Sequence, residues 1–289
     1  MNYIRDNAQD NYGILQLQDL ILQIAVYIDD FCSKNGITYY LMGGSALGAA
    51  RHGGFIPWDD DLDIFMKPND YATFRKLFLE KGNHEMYYLQ EQMRRGEMLV
   101  SAKLRMNHTF YQEKANDDMH IHKGIFVDIF ILHNTSNNRV GRLFHCLSAK
   151  YLLIKGQGFK NIKYKGFKGF AIWLLKLFPK EFGIKRNLKR LYKYDNKKTH
   201  YLCHFLGKAF FKKGIYLVDD FKDSVRVQFE KVELLAPCGY DNYLTKRFGD
   251  YMKMPNPSQI KDSQHASLWL PSTPNNGYDG DYFDEKYLV

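Results

Sequence analysis

The stretch Gly43–Ile64, GGSALGAARHGGFIPWDDDLDI, decides how this chain reads. It ends on Asp61-Leu62-Asp63-Ile64. Side chains alternate along a strand, so a strand from Asp61 to Met66 puts Asp61 and Asp63 on one face and Leu62 and Ile64 on the other. Two carboxylates so placed repel each other, and a divalent cation beside them offsets their charge. Mg2+ takes oxygen ligands at about 2.0–2.1 Å and keeps waters and substrate phosphates as its other ligands. A solvated acidic turn is the plain alternative. Two further features favour the cation. Gly44 and Ser45 follow a short β-type run, Ile37 to Met42, and open a short helix, Ala46 to Arg51. Backbone N–H groups at such a helix start form an anion site, and a small side chain lets a phosphate approach. Farther on, Asp128 interrupts the apolar strand Ile125 to Leu132. A buried carboxylate needs a cation, a base or a hydrogen-bond network. A lysine partner or a loop cap is the structural alternative for Asp128.

Outward from this centre, Leu17, Leu20, Ile21, Ile24, Ile28 and Phe31 recur at helical spacing, and Gly36 closes that helix. Asn69 is expected to cap a helix through Lys81. Leu99 to Met106 alternates like a strand, Arg226 to Leu235 is expected to return to the sheet, and Asp241 to Phe248 reads as a helix before Gly249. The tail after Pro271 is polar and is expected to be irregular. His120 and His122 share a strand face, with His108 nearby, but no Cys or further His at zinc-ligand spacing joins them. Trp58 reads as loop packing or as a stacking surface, Asp59 and Asp60 as turn caps or loop-shaping acids, and His265 as part of a polar loop.

The 289 residues suffice for one large domain or two small ones, and 45% hydrophobic with 25% charged residues excludes a disordered chain. The net charge of +9 is unevenly spread. Between Arg139 and Lys213 there are 20 Lys/Arg against two acids, Glu181 and Asp195, so a basic block joins a mildly acidic body. The four cysteines, Cys32, Cys146, Cys203 and Cys238, are scattered, which reads as reduced thiols of a cytoplasmic protein. The polar start of the chain does not read as a signal peptide. The run Phe170 to Leu175 is far short of the roughly 20 residues that span a bilayer.

A strand, a Gly-Ser turn, two acids and a distant third acid together resemble the nucleotidyltransferase fold. The residues between them are similar to the LicD family of phosphotransferases, which also resembles the fukutin proteins. The match runs through Gly44, Ser45, Leu47, Gly48, Arg51, Gly53, Gly54, Phe55, Pro57, Trp58, Asp59, Asp60, Asp61 and Asp63. Weaker likeness continues in Ala102-Lys103-Leu104-Arg105, in Gly124–Phe130, and in Phe229-Glu230, Tyr243-Leu244 and Phe248-Gly249-Asp250-Tyr251. The resemblance implies an α+β fold: a nucleotidyltransferase-like mixed β-sheet with flanking helices and a basic, mainly helical insertion. The expected organisation is a catalytic core over 1–138, the insertion over 139–213 and a return to the catalytic domain over 214–289.

The resemblance also implies a chemistry. A phosphorylated alcohol such as phosphocholine moves from a CDP carrier to a hydroxyl of a cell-surface glycan, and CMP leaves. Asp61, Asp63 and Asp128 are the implied catalytic acids and ligands of Mg2+ or Mn2+. Gly44 and Ser45 would contact phosphate, and Arg51, Lys103 and Arg105 would balance the diphosphate charge. The implied partners are a CDP-alcohol donor and a glycan acceptor, with no nucleic acid expected. A nucleotidyltransferase that retains the nucleotide and releases pyrophosphate would use the same acids. A basic binding protein on an inert fold would lack them. For the basic block the expectation is peripheral contact with an anionic inner membrane face, with Trp173 of the run Gly169 to Phe178 at headgroup depth. The alternative is that this run packs as a core helix.

Overall fold

The computed structural model describes residues 13–91, 93–94, 97–98, 101–113, 122–156, 183–207, 211–256 and 265–273. In chain order these form α1 (Ile14–Lys34), β1 (Tyr39–Leu41), α2 (Gly43–His52), β2 (Asp63–Met66), α3 (Pro68–Lys81), β3 (Tyr87–Gln90), β4 (Met93–Arg94), β5 (Glu97–Met98), β6 (Ala102–Met106), β7 (Phe110–Glu113) and β8 (Phe126–Ile131). There follow β9 (His133–Thr135), α4 (Arg139–Gly156), α5 (Ile184–Leu191), β10 (Tyr201–Cys203), β11 (Ile215–Leu217), β12 (Ser224–Phe229), β13 (Val232–Pro237), α6 (Tyr240–Phe248) and β14 (Ala266–Leu270). The described residues fall into two compact units. One lies within Met1–Gln90, Ala102–Ile131 and Asp219–Asp284, the other within Glu91–Ser101, Leu132–Val218 and Glu285–Val289.

The first unit is built on a five-stranded sheet of order β1-β2-β8-β6-β3. β2 and β8 run parallel, and every other neighbouring pair is antiparallel. This mixed sheet with helices agrees with the α+β class expected. α1 buries Leu17, Ile21, Ile24, Ile28 and Phe31, at the spacing that selects one helical face. Each such side chain stabilises the fold by roughly 1.5–3 kcal/mol on burial. The helix closes as expected at Gly36, whose φ is +65°. The N–H of Ile37 returns to the Cys32 carbonyl at 2.9 Å, the bond that completes a Schellman turn.

Several boundaries differ from expectation. α2 begins at Gly43, three residues early, and β2 begins at Asp63, so Asp61 lies in the loop before the strand. α3 is opened by Pro68 after Lys67, with Asn69 already inside it. Proline's fixed φ suits a first helical turn, where a missing N–H costs nothing. The Arg226 region forms the β12–β13 hairpin, a sheet of its own rather than a strand of the main one. β14, absent from the sequence reading, pairs antiparallel with β7. Its Trp269 packs where a Cβ at Gly13 would come within 2.8 Å.

The second unit has a three-stranded sheet, β11-β10-β9, with α4 and α5. Its core gathers Cys146, Ala149, Leu152, Leu191, Cys203, Phe205 and Leu206. All four cysteines are free thiols. Among the described residues no helix is long and apolar enough to cross a membrane. The run Gly169 to Phe178, with Trp173, lies outside the described residues, as do His120 and the chain beyond Thr273.

Candidate active site

The site lies wholly in the first unit. Strand register brings its charged groups into one row. Asp63 of β2 sits beside Asp128 of β8, Asp128 beside Lys103 of β6, and Lys103 beside Gln90 of β3. Residues in register share a face, so two acids and a lysine line up across adjoining strands. Lys103 Nζ meets both Asp128 oxygens, at 3.0 and 3.1 Å, and Glu113 Oε1 at 3.2 Å. It also lies 3.4 Å from the centre of the Phe126 ring. Arg105, two residues on, is fully buried and donates to Gln90 Oε1 at 2.5 Å and to the Gly124 carbonyl at 2.8 Å. The Asp128 acid therefore has the lysine partner weighed as its structural alternative, and that lysine stands within the same row.

The loop from β1 brings α2 over this row. Ser45 Oγ accepts the N–H of Asp63 at 2.8 Å and so pins the start of β2. A Cβ at Gly44 would fall 2.7 Å from Asp59 Oδ2, so only glycine admits that carboxylate onto the first turn of α2. The Gly43 N–H donates to Tyr243 Oη of α6 at 2.8 Å, and the N–H groups of Ser45 and Ala46 turn back to the Met42 carbonyl. Of the expected anion cradle, these three N–H groups already have protein acceptors.

The acid loop itself is anchored from three directions. Gln18 of α1 donates to the carbonyls of Ile56 (3.2 Å) and Asp59 (2.7 Å). Glu230, at the tip of the β12–β13 hairpin, accepts the Phe55 N–H at 2.9 Å. Asp60 is fully buried, and its carboxylate accepts the N–H groups of His265 (2.8 and 2.9 Å) and Ala266 (3.0 Å). His265 Nδ1 adds a third contact at 3.0 Å and lies 3.4 Å from Asp61 Oδ2. Asp60 is thus a structural clamp on the start of β14, and His265, just before that strand, reaches the acid loop.

Electrostatics mark the cluster. Burial, then Asp61, Asp63 and Asp60, raise the Asp59 carboxyl well above its ordinary range. Burial, then Asp61 and Asp128, do the same to Asp63, against the opposing pull of Lys103 and Arg247. Asp61 is raised by burial first, and the His265 imidazole pulls it down. Asp59 and Asp61 share a hydrogen bond. Crowded carboxylates of this kind are relieved by a hard divalent cation. The donor set, all carboxylate oxygen, fits Mg2+ or Mn2+. Asp59, Asp60 and His265 also approach as a trio with metal-ligand spacing. Asp60, however, already spends its oxygens on N–H donors, and Asp128 has both of its oxygens on Lys103, so the acids whose crowded charge a cation would relieve are Asp59, Asp61 and Asp63.

The sequence-predicted residues divide. Asp61, Asp63, Asp128, Gly44 and Ser45 converge here. Lys103 and Arg105 are buried in bonds to Asp128, Glu113, Gln90 and Gly124. Arg51 donates to the carbonyls of Tyr251 (3.0 Å) and Lys253 (3.3 Å). Trp58 meets His52 edge-on at 6.3 Å. His122 is buried, stacked on Tyr88 at 4.8 Å and bonded to Asn107 at 3.0 Å, a core histidine. Sequence reasoning passed over Arg247. It stands one turn beyond Tyr243 on α6, and Tyr243 packs edge-on against Phe65, which shares the face of Asp63. The signal was available as the four-residue spacing of Tyr243 and Arg247.

Residues 36–145 match the family described as LicD/FKTN/FKRP, nucleotidyltransferase domain. The chain is 27% identical over 261 residues to the lipopolysaccharide cholinephosphotransferase LicD of Haemophilus influenzae, covering 87% of this chain and 96% of that one. Over 55 residues it is 42% identical to the ribitol 5-phosphate transferase FKRP of Homo sapiens, 19% of this chain and 11% of the relative. An uncharacterized protein of Rickettsia typhi is 44% identical over 75 residues, 26% of this chain and 24% of its own.

Proposed function

We propose that this chain, which matches the LicD/FKTN/FKRP nucleotidyltransferase domain over residues 36–145 and is 27% identical to a LicD cholinephosphotransferase, is a phosphotransferase of the LicD kind that moves a phosphorylated alcohol, phosphocholine or a close analogue, from a CDP carrier to a glycan hydroxyl. The observation that carries this reading is the row Asp63–Asp128 beside Asp61 and the glycine-rich start of α2. In the transfer, the hydroxyl oxygen bonds to the distal phosphorus and the bond to CMP breaks, CMP taking the electron pair. Asp61 and Asp63 would hold a divalent cation, with Asp128 completing that set or accepting the hydroxyl proton. Such an ion, when bound, neutralises charge developing on the diphosphate oxygens. Lys103, itself held by Glu113, fixes Asp128 in place, and Ser45 holds Asp63. Arg247 is the cation we assign to the donor's phosphates, since α6 presents it over the acid-bearing face. The nucleotidyltransferase-like fold and the domain order expected from sequence belong to the same proposal.

Incubation with a panel of CDP-alcohols and a surface-glycan acceptor tests it. Release of CMP with the alcohol phosphate on the acceptor is expected. Arg247→Gln should raise KM for the donor about tenfold, the loss of one charge-assisted contact. Pyrophosphate release with nucleotide left on the acceptor would replace this reading by nucleotidyl transfer.

A further inference from the structure

The outer face of α4 is apolar. Val140, Leu143, Phe144 and Leu147 recur at three- and four-residue spacing and so form one stripe. They are 60%, 44%, 59% and 52% exposed. Tyr151 and Ile154 continue the stripe, half-buried. The opposite face, Cys146, Ala149 and Leu152, already supplies the helix's share of the core. The outer stripe is therefore apolar surface in excess of what folding uses.

The sequence that carries the stripe is one-sided in charge. Within 139–213 the 20 Lys/Arg face two acids. Of those, Asp195 is turned inward, where it holds His133 Nδ1 at 2.8 Å and the Asn134 N–H at 3.0 Å. It offsets little of the surface charge. Arg139 at the start of α4, and Lys185, Arg186 and Lys189 on α5, are exposed.

We propose that the outer stripe of α4 docks this unit on an anionic lipid surface, with Phe144 and Leu147 at the headgroup–acyl boundary. An apolar stripe alone would suit a protein partner or a second copy, and cations alone would suit nucleic acid. A negatively charged bilayer surface uses both at once, apolar side chains in the interface and lysines and arginines above it. The inference stands independently of the reaction assigned above.

Co-sedimentation of the full chain with vesicles decides it, comparing phosphatidylcholine alone with phosphatidylcholine mixed with phosphatidylglycerol. Binding is expected only with phosphatidylglycerol, and should weaken as salt rises. Phe144→Asp with Leu147→Asp should weaken it about tenfold or more, as burial of large apolar groups dominates interfacial insertion. The thermal midpoint should not fall, since both positions face solvent. If that variant fails to fold, Phe144→Ser with Leu147→Ser carries the same expectation. Met86→Asp, an exposed apolar residue of the first unit, should bind like the wild type. Absence of binding, equal binding to neutral vesicles, or undiminished binding by the stripe variants overturns the proposal. So does a dimer that the stripe variants abolish while vesicle binding persists, which would make the face an interface between copies.

Discussion

Asp128 holds two positions at once: beside Asp63 across β2 and β8, and on Lys103 across β8 and β6. The lysine answers the cost of burying the acid, and the neighbouring acid is its partner in the proposed metal site. Replacement by Asn therefore affects both. Asp128→Asn leaves Lys103 with Glu113 alone, and breaking a buried pair costs about 3 kcal/mol at the low end of its range. The expected outcome is a lowered melting temperature together with lost turnover. A destabilised but active variant would refute the catalytic role, and an inactive variant of undiminished stability would refute the structural one. The same double use explains why Lys103 and Arg105 read from sequence as phosphate contacts. A basic strand beside an acidic one looks alike whether its cations face a ligand or face the neighbouring carboxylates. Only the register, Lys103 against Asp128 and Arg105 two residues on against Phe126, distinguishes them.

At the scale of elements, β14 is fastened to the acid loop by the Asp60 carboxylate, which accepts two backbone N–H groups and the His265 ring. Asp60→Ala strips buried donors of a charged acceptor and should cost roughly 3–5 kcal/mol. Amide hydrogen exchange should then show residues 266–270 losing protection first. Protection lost evenly through β2 and β8 instead would deny the clamp its local role. The elements around the acids were legible because each carries local punctuation: Gly36 after α1, Gly43-Gly44 opening α2, and Gly249 after α6. β14 was not legible. Ala266–Leu270 offers five residues of weak alternation behind a polar stretch, and what makes it a strand is pairing with β7, some 155 residues away. Asp61 was assigned to the strand because alternation continues through Leu62. Ser45, by taking the Asp63 N–H, marks the start of the strand two residues later.

For the whole molecule, the two units respond to acid with opposite sign. His145 in the second unit is buried against Thr135 Oγ1, and burial followed by the charge of His133 lowers its pKa from 6.5 to about 4. Between those values the unfolded chain binds the extra proton. Stability from the neutral ring is complete above pH 6.5 and lost as pH falls towards 4. The shift is worth about 3 kcal/mol. The Asp59 and Asp63 carboxyls in the first unit are raised, so the metal-free fold gains stability as pH falls. Calorimetry in chelator from pH 7 down to 5 should show a pH dependence of stability that shifts towards acid stabilisation in His145→Asn. An unchanged pH slope in that variant would assign the acid sensitivity elsewhere. The central claim is that Asp61 and Asp63 hold the divalent ion on which transfer depends. Its most direct test is CMP release from a CDP-alcohol and acceptor, measured against divalent-ion concentration for wild type, Asp61→Asn and Asp63→Asn. The account predicts no turnover in excess EDTA and recovery with Mg2+ or Mn2+. Both variants should be slowed by about a hundredfold or more, the size of losing a key electrostatic group, while folding at least as stably as the wild type. Full turnover in EDTA, or near-normal turnover by either variant, would contradict it.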